Sequence, residues 1–319
     1  MKSQISNLKS QTNPNTKTPN SKRGALAGRE LCGAWRREFQ AFGALRIGFW
    51  CLFVICDLSF GISFILAAGF AYAGEGDQPV APTDRVALFN GRDLSGWYTY
   101  QKVTGRDDPD GVYSVVDGII RISGEGAGYL ATEQAYRDYH LSLEYKWGEK
   151  TDGSGNVRNS GVLLHKTNAD RVWPTSIEVQ LAQGCEGDFI VIPGRDADDR
   201  PAPATITSET RIADDGRTRW HKGGDKTVYS GRQFWWSKHE AGFEEKLDTR
   251  GRDDVASPLG EWTRVECICR GGRITVKING HTVNECFDAL PASGRILLQN
   301  EGNEVFFRNV ELQPLPAEK

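Results

Sequence analysis

Residues 262–285 read WTRVECICRGGRITVKINGHTVNE. Ile274, Val276 and Ile278 alternate with Arg273, Thr275 and Lys277, the period of a half-buried strand. Cys267 and Cys269, two residues apart, fall on one face of the strand before it. Asn279-Gly280 supplies two residues that tolerate positive φ, as a tight hairpin requires. Gly271-Gly272 supplies another reversal. The stretch therefore predicts a three-stranded antiparallel meander.

The same pattern extends in both directions. Strands are expected over 113–116, 119–122, 139–147, 160–165, 176–182, 294–299 and 305–314. Leu141, Leu143, Tyr145 and Trp147 share one face. No long helical pattern occurs, and only 132–137 suggests a short turn. Many short strands predict an all-β fold, a jelly-roll β-sandwich of two antiparallel sheets. Residues 194–260 are rich in Asp, Arg, Gly, Ser and Pro. They read as an insert of long loops with one or two short strands, draped over one face, where specificity is often carried.

The 319 residues carry a net charge of −3. That figure conceals a split: residues 1–73 are +6 and the remainder −9. An acidic body offers no footprint for nucleic acid. Residues 1–46 are polar and basic, and an apolar run over 47–73 ends in Ala71-Tyr72-Ala73. This order predicts a signal peptide over 1–73 and an exported, periplasmic or secreted protein. The other reading is an N-terminal membrane anchor at 47–70. A linker at 74–83 then leads into a domain over 84–315. In an oxidising compartment, Cys185, Cys267, Cys269 and Cys286 read as buried thiols or one structural disulfide, with Cys267 or Cys269 able to reach Cys286. No CxxC pair or nearby His pair supports a metal among them.

Candidate chemistry centres on Ser176-Ile-Glu-Val-Gln-Leu-Ala182. Ile177, Val179 and Leu181 form an apolar face. Glu178 and Gln180 lie on the other, about 7 Å apart. Such a row can floor a sugar-binding groove, with Glu178 as a general base and Gln180 holding a hydroxyl. It can equally be a solvated outer face. His165, preceded by Arg158 and Asn159, ends another strand and is a candidate acid or base. Trp173 before Pro174 suits stacking on a sugar ring, or anchors its loop. Gln299, Asn300 and Glu301 stand where a strand enters a turn. Glu301 facing Glu178 would make an acid/base pair. His221, His239, Glu240 and the Phe234–Trp236 cluster read as structural loop residues. No nucleophile elbow, phosphate loop or dinucleotide fingerprint occurs, so no nucleotide or flavin site is read.

Four segments carry a family resemblance. They are Leu88-Phe-Asn-Gly-Arg-Asp-Leu-Ser-Gly-Trp97, Asn159-Ser-Gly-Val-Leu-Leu-His165, Val172-Trp-Pro-Thr-Ser-Ile-Glu-Val-Gln180 with Gly187-Asp-Phe189, and the C-terminal third with Gly260-Glu-Trp262, Asn279-Gly280, LLQNEG and FFRNVEL. Together they resemble the 3-keto-disaccharide hydrolase family. The resemblance implies a concanavalin-like sandwich acting on glycosides already oxidised at carbon 3. It implies Glu178 as base or acid, with His165 or Glu301 as counterpart. It implies sugar binding by Arg158, Asn159, Trp173, Gln180 and Asn300, and a divalent metal in some members, with no ligands assignable here. The partner it implies is an oxidised sugar or oligosaccharide, made upstream by a sugar 3-dehydrogenase. Two other functions fit the same sandwich: a non-catalytic carbohydrate-binding module, and a conventional retaining endoglucanase. The last needs paired carboxylates about 5 Å apart, and Gln180 stands where the second would be wanted on the Glu178 strand.

Overall fold

The computed structural model describes residues 78–317 apart from 168 and 197. The leader, its cleavage site and the candidate anchor lie outside the described residues. No described helix is long and apolar enough to cross a membrane. The described residues contain strands and no helix, in two large antiparallel sheets.

One sheet has eleven strands. The predicted meander lies within it as Thr263–Arg270, Arg273–Ile278 and His281–Leu290. Its turn has Asn279 at φ 47° and Gly280 at φ 81°, the left-handed pair expected there. Tyr139–Trp147 pairs with Thr263–Arg270 on one side and Val305–Pro314 on the other. Leu141, Leu143 and Tyr145 point with Val265, Val276 and Ile278 into the layer between the sheets.

The second sheet has seven strands. Its order is Gln233–Phe234, Phe189–Ile192, Ser176–Gln180, Gly161–Lys166, Arg295–Glu301, Ala127–Thr132 and Trp97–Gln101. Ile177, Val179, Val162, Leu164, Ile296 and Leu298 face the first sheet. Burying each such side chain contributes roughly 1.5–3 kcal/mol. Period two then sends the intervening residues to the outer face.

Two expectations change. The 194–260 insert is more ordered than its composition suggests. Thr205–Ile212 extends the large sheet by pairing with His281–Leu290 and with Asp225–Tyr229. Its inward row is Ile206, Ser208 and Thr210, and two polar residues of three hide the apolar alternation. Cys185, Cys267, Cys269 and Cys286 are buried and in no disulfide. Cys267, Cys269 and Cys286 lie in the core between the sheets, so the disulfide reading is replaced by the thiol one.

Candidate active site

The outer face of the seven-stranded sheet is not a solvated one. Tyr129, Ala131, Leu163 and Leu297 on it are fully buried, with Tyr98, Tyr100, Ile190 and Trp173 packed against them. Glu178 lies on this face between Leu163 and Ile190 of the flanking strands, and is 3% exposed.

Space for its side chain comes from Gly161, opposite Gln180. A Cβ on Gly161 would stand 2.2 Å from Glu178 Oε1, so the carboxyl lies across a glycine bed.

Glu301 arrives on the next strand but one. Its Oε1 accepts from Trp173 Nε1 at 3.1 Å and Gln299 Nε2 at 3.2 Å. Its Oε2 accepts from Asn159 Nδ2. Gln299 also hydrogen-bonds Glu178. Burial, and then the neighbouring Glu301, push the Glu178 carboxyl well above its usual range. Burial raises Glu301 too, against the Trp173 donor. Ionising both would leave two adjacent buried charges, each costing several kcal/mol. The two carboxyls therefore resist ionising together. Three N–H donors favour charge on Glu301, so it is the more readily ionised of the two. Two acceptors beside them, Asn159 Oδ1 and Gln299 Oε1, are buried without a partner.

A second polar knot lies farther along the same face. Asp170 accepts from Tyr98 Oη at 2.8 Å, Tyr129 Oη at 3.0 Å and Arg106 Nη2 at 2.6 Å, and pairs with Lys166 Nζ at 3.0 Å. Burial opposes its ionisation, yet Lys166, Arg106 and Tyr98 bring its pKa down to about 2. Asp170 and Trp173 belong to the segment joining two central strands. That segment therefore crosses the face and touches both the Asp170 knot and Glu301. A cavity of about 530 Å³ opens beside Tyr98, with Arg106, Glu133, Tyr136 and Arg295 in its wall.

The structure thus brings Glu178, Glu301, Asn159 and Trp173 together, with Gln180 on the same face. Three sequence expectations are corrected. His165 is fully buried on the opposite side, its ring edge-on to Tyr139 at 5.7 Å and its Nδ1 3.1 Å from the Pro291 carbonyl. The strand bulges beside Arg295–Glu301, and His165 takes φ 60°. The extra residue turns it inward, where burial lowers its pKa to about 4. Asn300 alternates with Gln299 and Glu301, so it points away and donates to the Glu125 carbonyl at 2.6 Å. Arg158 binds Asp248 at 2.8 Å and the Gly148 carbonyl at 2.8 Å, which anchors the insert. Sequence reading passed over Gln299 as a site residue, although it shares the parity of Glu301. It also does not single out Tyr98 and Tyr129, whose strands Trp97–Gln101 and Ala127–Thr132 it leaves out, nor Asp170, whose tyrosine partners come from distant strands.

The site is thus a buried carboxyl pair beside amides and an indole, set on a β-sandwich, and the family the chain matches is a carbohydrate-active one. The chain belongs to the 3-keto-alpha-glucoside-1,2-lyase-like domain family, which it matches over residues 84–313. That agrees with the resemblance carried by the four segments. No curated protein matches the chain. Two solved candidate glycosyl hydrolases from Parabacteroides distasonis ATCC 8503 are similar in structure. One is 18% identical, covering 73% of this chain and 94% of its own, with a TM-score of 0.44. The other is 20% identical, covering 72% and 99%, with a TM-score of 0.42. The carbohydrate-binding module CBM66 from Bacillus subtilis is 10% identical, covering 68% and 94%, with a TM-score of 0.36.

Proposed function

We propose that the chain cleaves 3-keto-glycosides by eliminating the substituent at carbon 1 and then hydrating the product. The observation that carries this reading is the buried pair of neighbouring carboxyls, Glu178 and Glu301, flanked by the unpartnered Asn159 and Gln299 oxygens. Elimination needs one base and one acid, and no nucleophile.

The C3 ketone acidifies the C2–H bond. The Glu301 carboxylate takes that proton, and the C–H electron pair delocalises into the enolate. The pair then forms the C1=C2 bond while the C1–O bond breaks and its electrons leave with the oxygen. Glu178 gives its proton to that oxygen. In hydration, Glu178 carboxylate takes a proton from water as the water oxygen bonds C1. Glu301 returns a proton to C2. The Asn159 and Gln299 oxygens would accept from sugar hydroxyls, and Trp173 would flank the ring. The reacting sugar is an oxidised one, so a dehydrogenase acting on carbon 3 must supply it.

The test is a matched pair of chromogenic substrates, a 3-keto-glucoside and the unoxidised glucoside. Release from the keto compound alone is expected. Release from both would make this a conventional glycosidase. Saturable binding without release would make it a carbohydrate-binding module.

A further inference from the structure

We propose that Cys185, Asp188 and His239 bind a thiophilic divalent cation, zinc being the class that fits. Cys185 Sγ lies 3.2 Å from His239 Nε2. A carboxylate oxygen of Asp188 lies within 4.8 Å of both, and all three residues are buried. Thiolate, imidazole and carboxylate form a borderline-soft donor set, suited to zinc and unlike the all-oxygen sets of magnesium and calcium. Zinc bonds of about 2.0–2.3 Å place ligand atoms roughly 3–4 Å apart around a tetrahedron. Cys185 Sγ and His239 Nε2 already stand at that spacing.

Outer contacts hold these ligands in place. Asp188 accepts from the Trp236 backbone N at 2.8 Å and Gln233 Nε2 at 2.7 Å. Each carboxylate oxygen keeps a second lone pair, so neither contact blocks coordination. Trp235 and Phe243 pack edge-on to the His239 ring, at 4.5 Å and 6.1 Å. Arg217 Nη1 can only donate, to His239 Nδ1 at 3.4 Å, so a cation on Nε2 requires Arg217 to swing off Nδ1, which then carries the ring proton. Asp215 offsets the Arg217 charge, pairing with Arg219 at 2.5 Å and Arg217 at 3.9 Å. Cys185 and Asp188 add the two negative charges a divalent ion needs.

The place in the fold gives the ion a use. Cys185 and Asp188 sit on the turn leaving the Glu178 strand. His239 comes from the insert, in a stretch with no strand between Gln233–Phe234 and Thr263–Arg270. A cation here cross-links that stretch to the strand carrying Glu178. Cys185 and His239 are 54 residues apart, so no sequence spacing could reveal them. The proposal is independent of the elimination chemistry.

The full chain, stripped with a chelator, is titrated with zinc and then with cobalt. Stoichiometric zinc retention and a thiolate-to-cobalt charge-transfer band are expected. Zinc should also raise the melting temperature. Cys185→Ser should keep the β circular-dichroism spectrum, lose the band, and bind zinc more than about 100-fold more weakly. If that variant does not fold, the wild-type stoichiometry and cobalt spectrum still decide. A folded wild-type chain that retains neither metal overturns the proposal. So does a Cys185→Ser variant with the same band and affinity.

Discussion

Glu301→Gln should lower turnover of a 3-keto-glycoside by about 100-fold to 10,000-fold, whatever the leaving group. Its carboxylate is assigned the C2 proton, and an amide cannot take one. The fold should survive, because the replacement is neutral and nearly isosteric in a site that disfavours a second charge. With the amide oxygen at the Oε1 position, Trp173 and Gln299 keep their acceptor, and Asn159 can flip so that its unpartnered oxygen accepts from the new amide nitrogen. Steady-state rates with nitrophenyl and sugar leaving groups, together with a melting curve, provide the check. Wild-type rates in the variant would remove Glu301 from the chemistry.

Glu178→Gln has a different expected signature. Glu178 is assigned the proton given to the departing oxygen, so its loss should depend on what departs. With a sugar leaving group, turnover should fall by about 100-fold or more. With nitrophenolate, which leaves without a proton, the fall should be much smaller. The pH profile adds a second readout. Activity requires Glu301 ionised and Glu178 protonated, so the wild-type rate is bell-shaped. The acid's contribution is lost as pH rises through the upper apparent pKa. Both limbs belong to the coupled pair. Burial and Glu301 raise the Glu178 carboxyl, which carries the alkaline limb above the ordinary carboxylate range. Glu178→Gln should abolish that limb and keep the acidic one. An equal loss with both leaving groups and an unchanged alkaline limb would contradict the assignment.

How much of this was legible in the sequence depends on how well period two was kept. The Thr263–Leu290 meander was readable because its first two strands keep an apolar inward row, Val265, Cys267, Cys269, Ile274, Val276 and Ile278, and its turns need Asn279-Gly280 and Gly271, although Asn284 on the third strand is buried and polar. Phe189–Ile192 reads FIVI, apolar without alternation, and its pairing with the Glu178 strand is visible only in three dimensions. Thr205–Ile212 was hidden by inward Ser208 and Thr210. At the site, alternation alone separated Glu178 and Gln180 from Ile177 and Val179. Applied to residues 299–301, the same rule would have kept Gln299 with Glu301 and set Asn300 aside. His165 could not be placed that way, because a single-residue bulge reverses parity and leaves no mark in composition. The burial of the outer face was also unreadable, since it depends on Asp170 and Trp173 crossing strands far from them in sequence.

The most direct measurement of the central claim is the fate of the C2 proton during cleavage in heavy water. A 3-keto-glycoside is cleaved by the wild-type chain in deuterium oxide, and the sugar product is examined by proton NMR. Elimination and hydration predict loss of the original C2 proton, with deuterium at C2 of the hydrated product, faster than in an enzyme-free control. A product that keeps its original C2 proton would mean that C1–O cleavage proceeds without the enolate, and the Glu178–Glu301 account would fail.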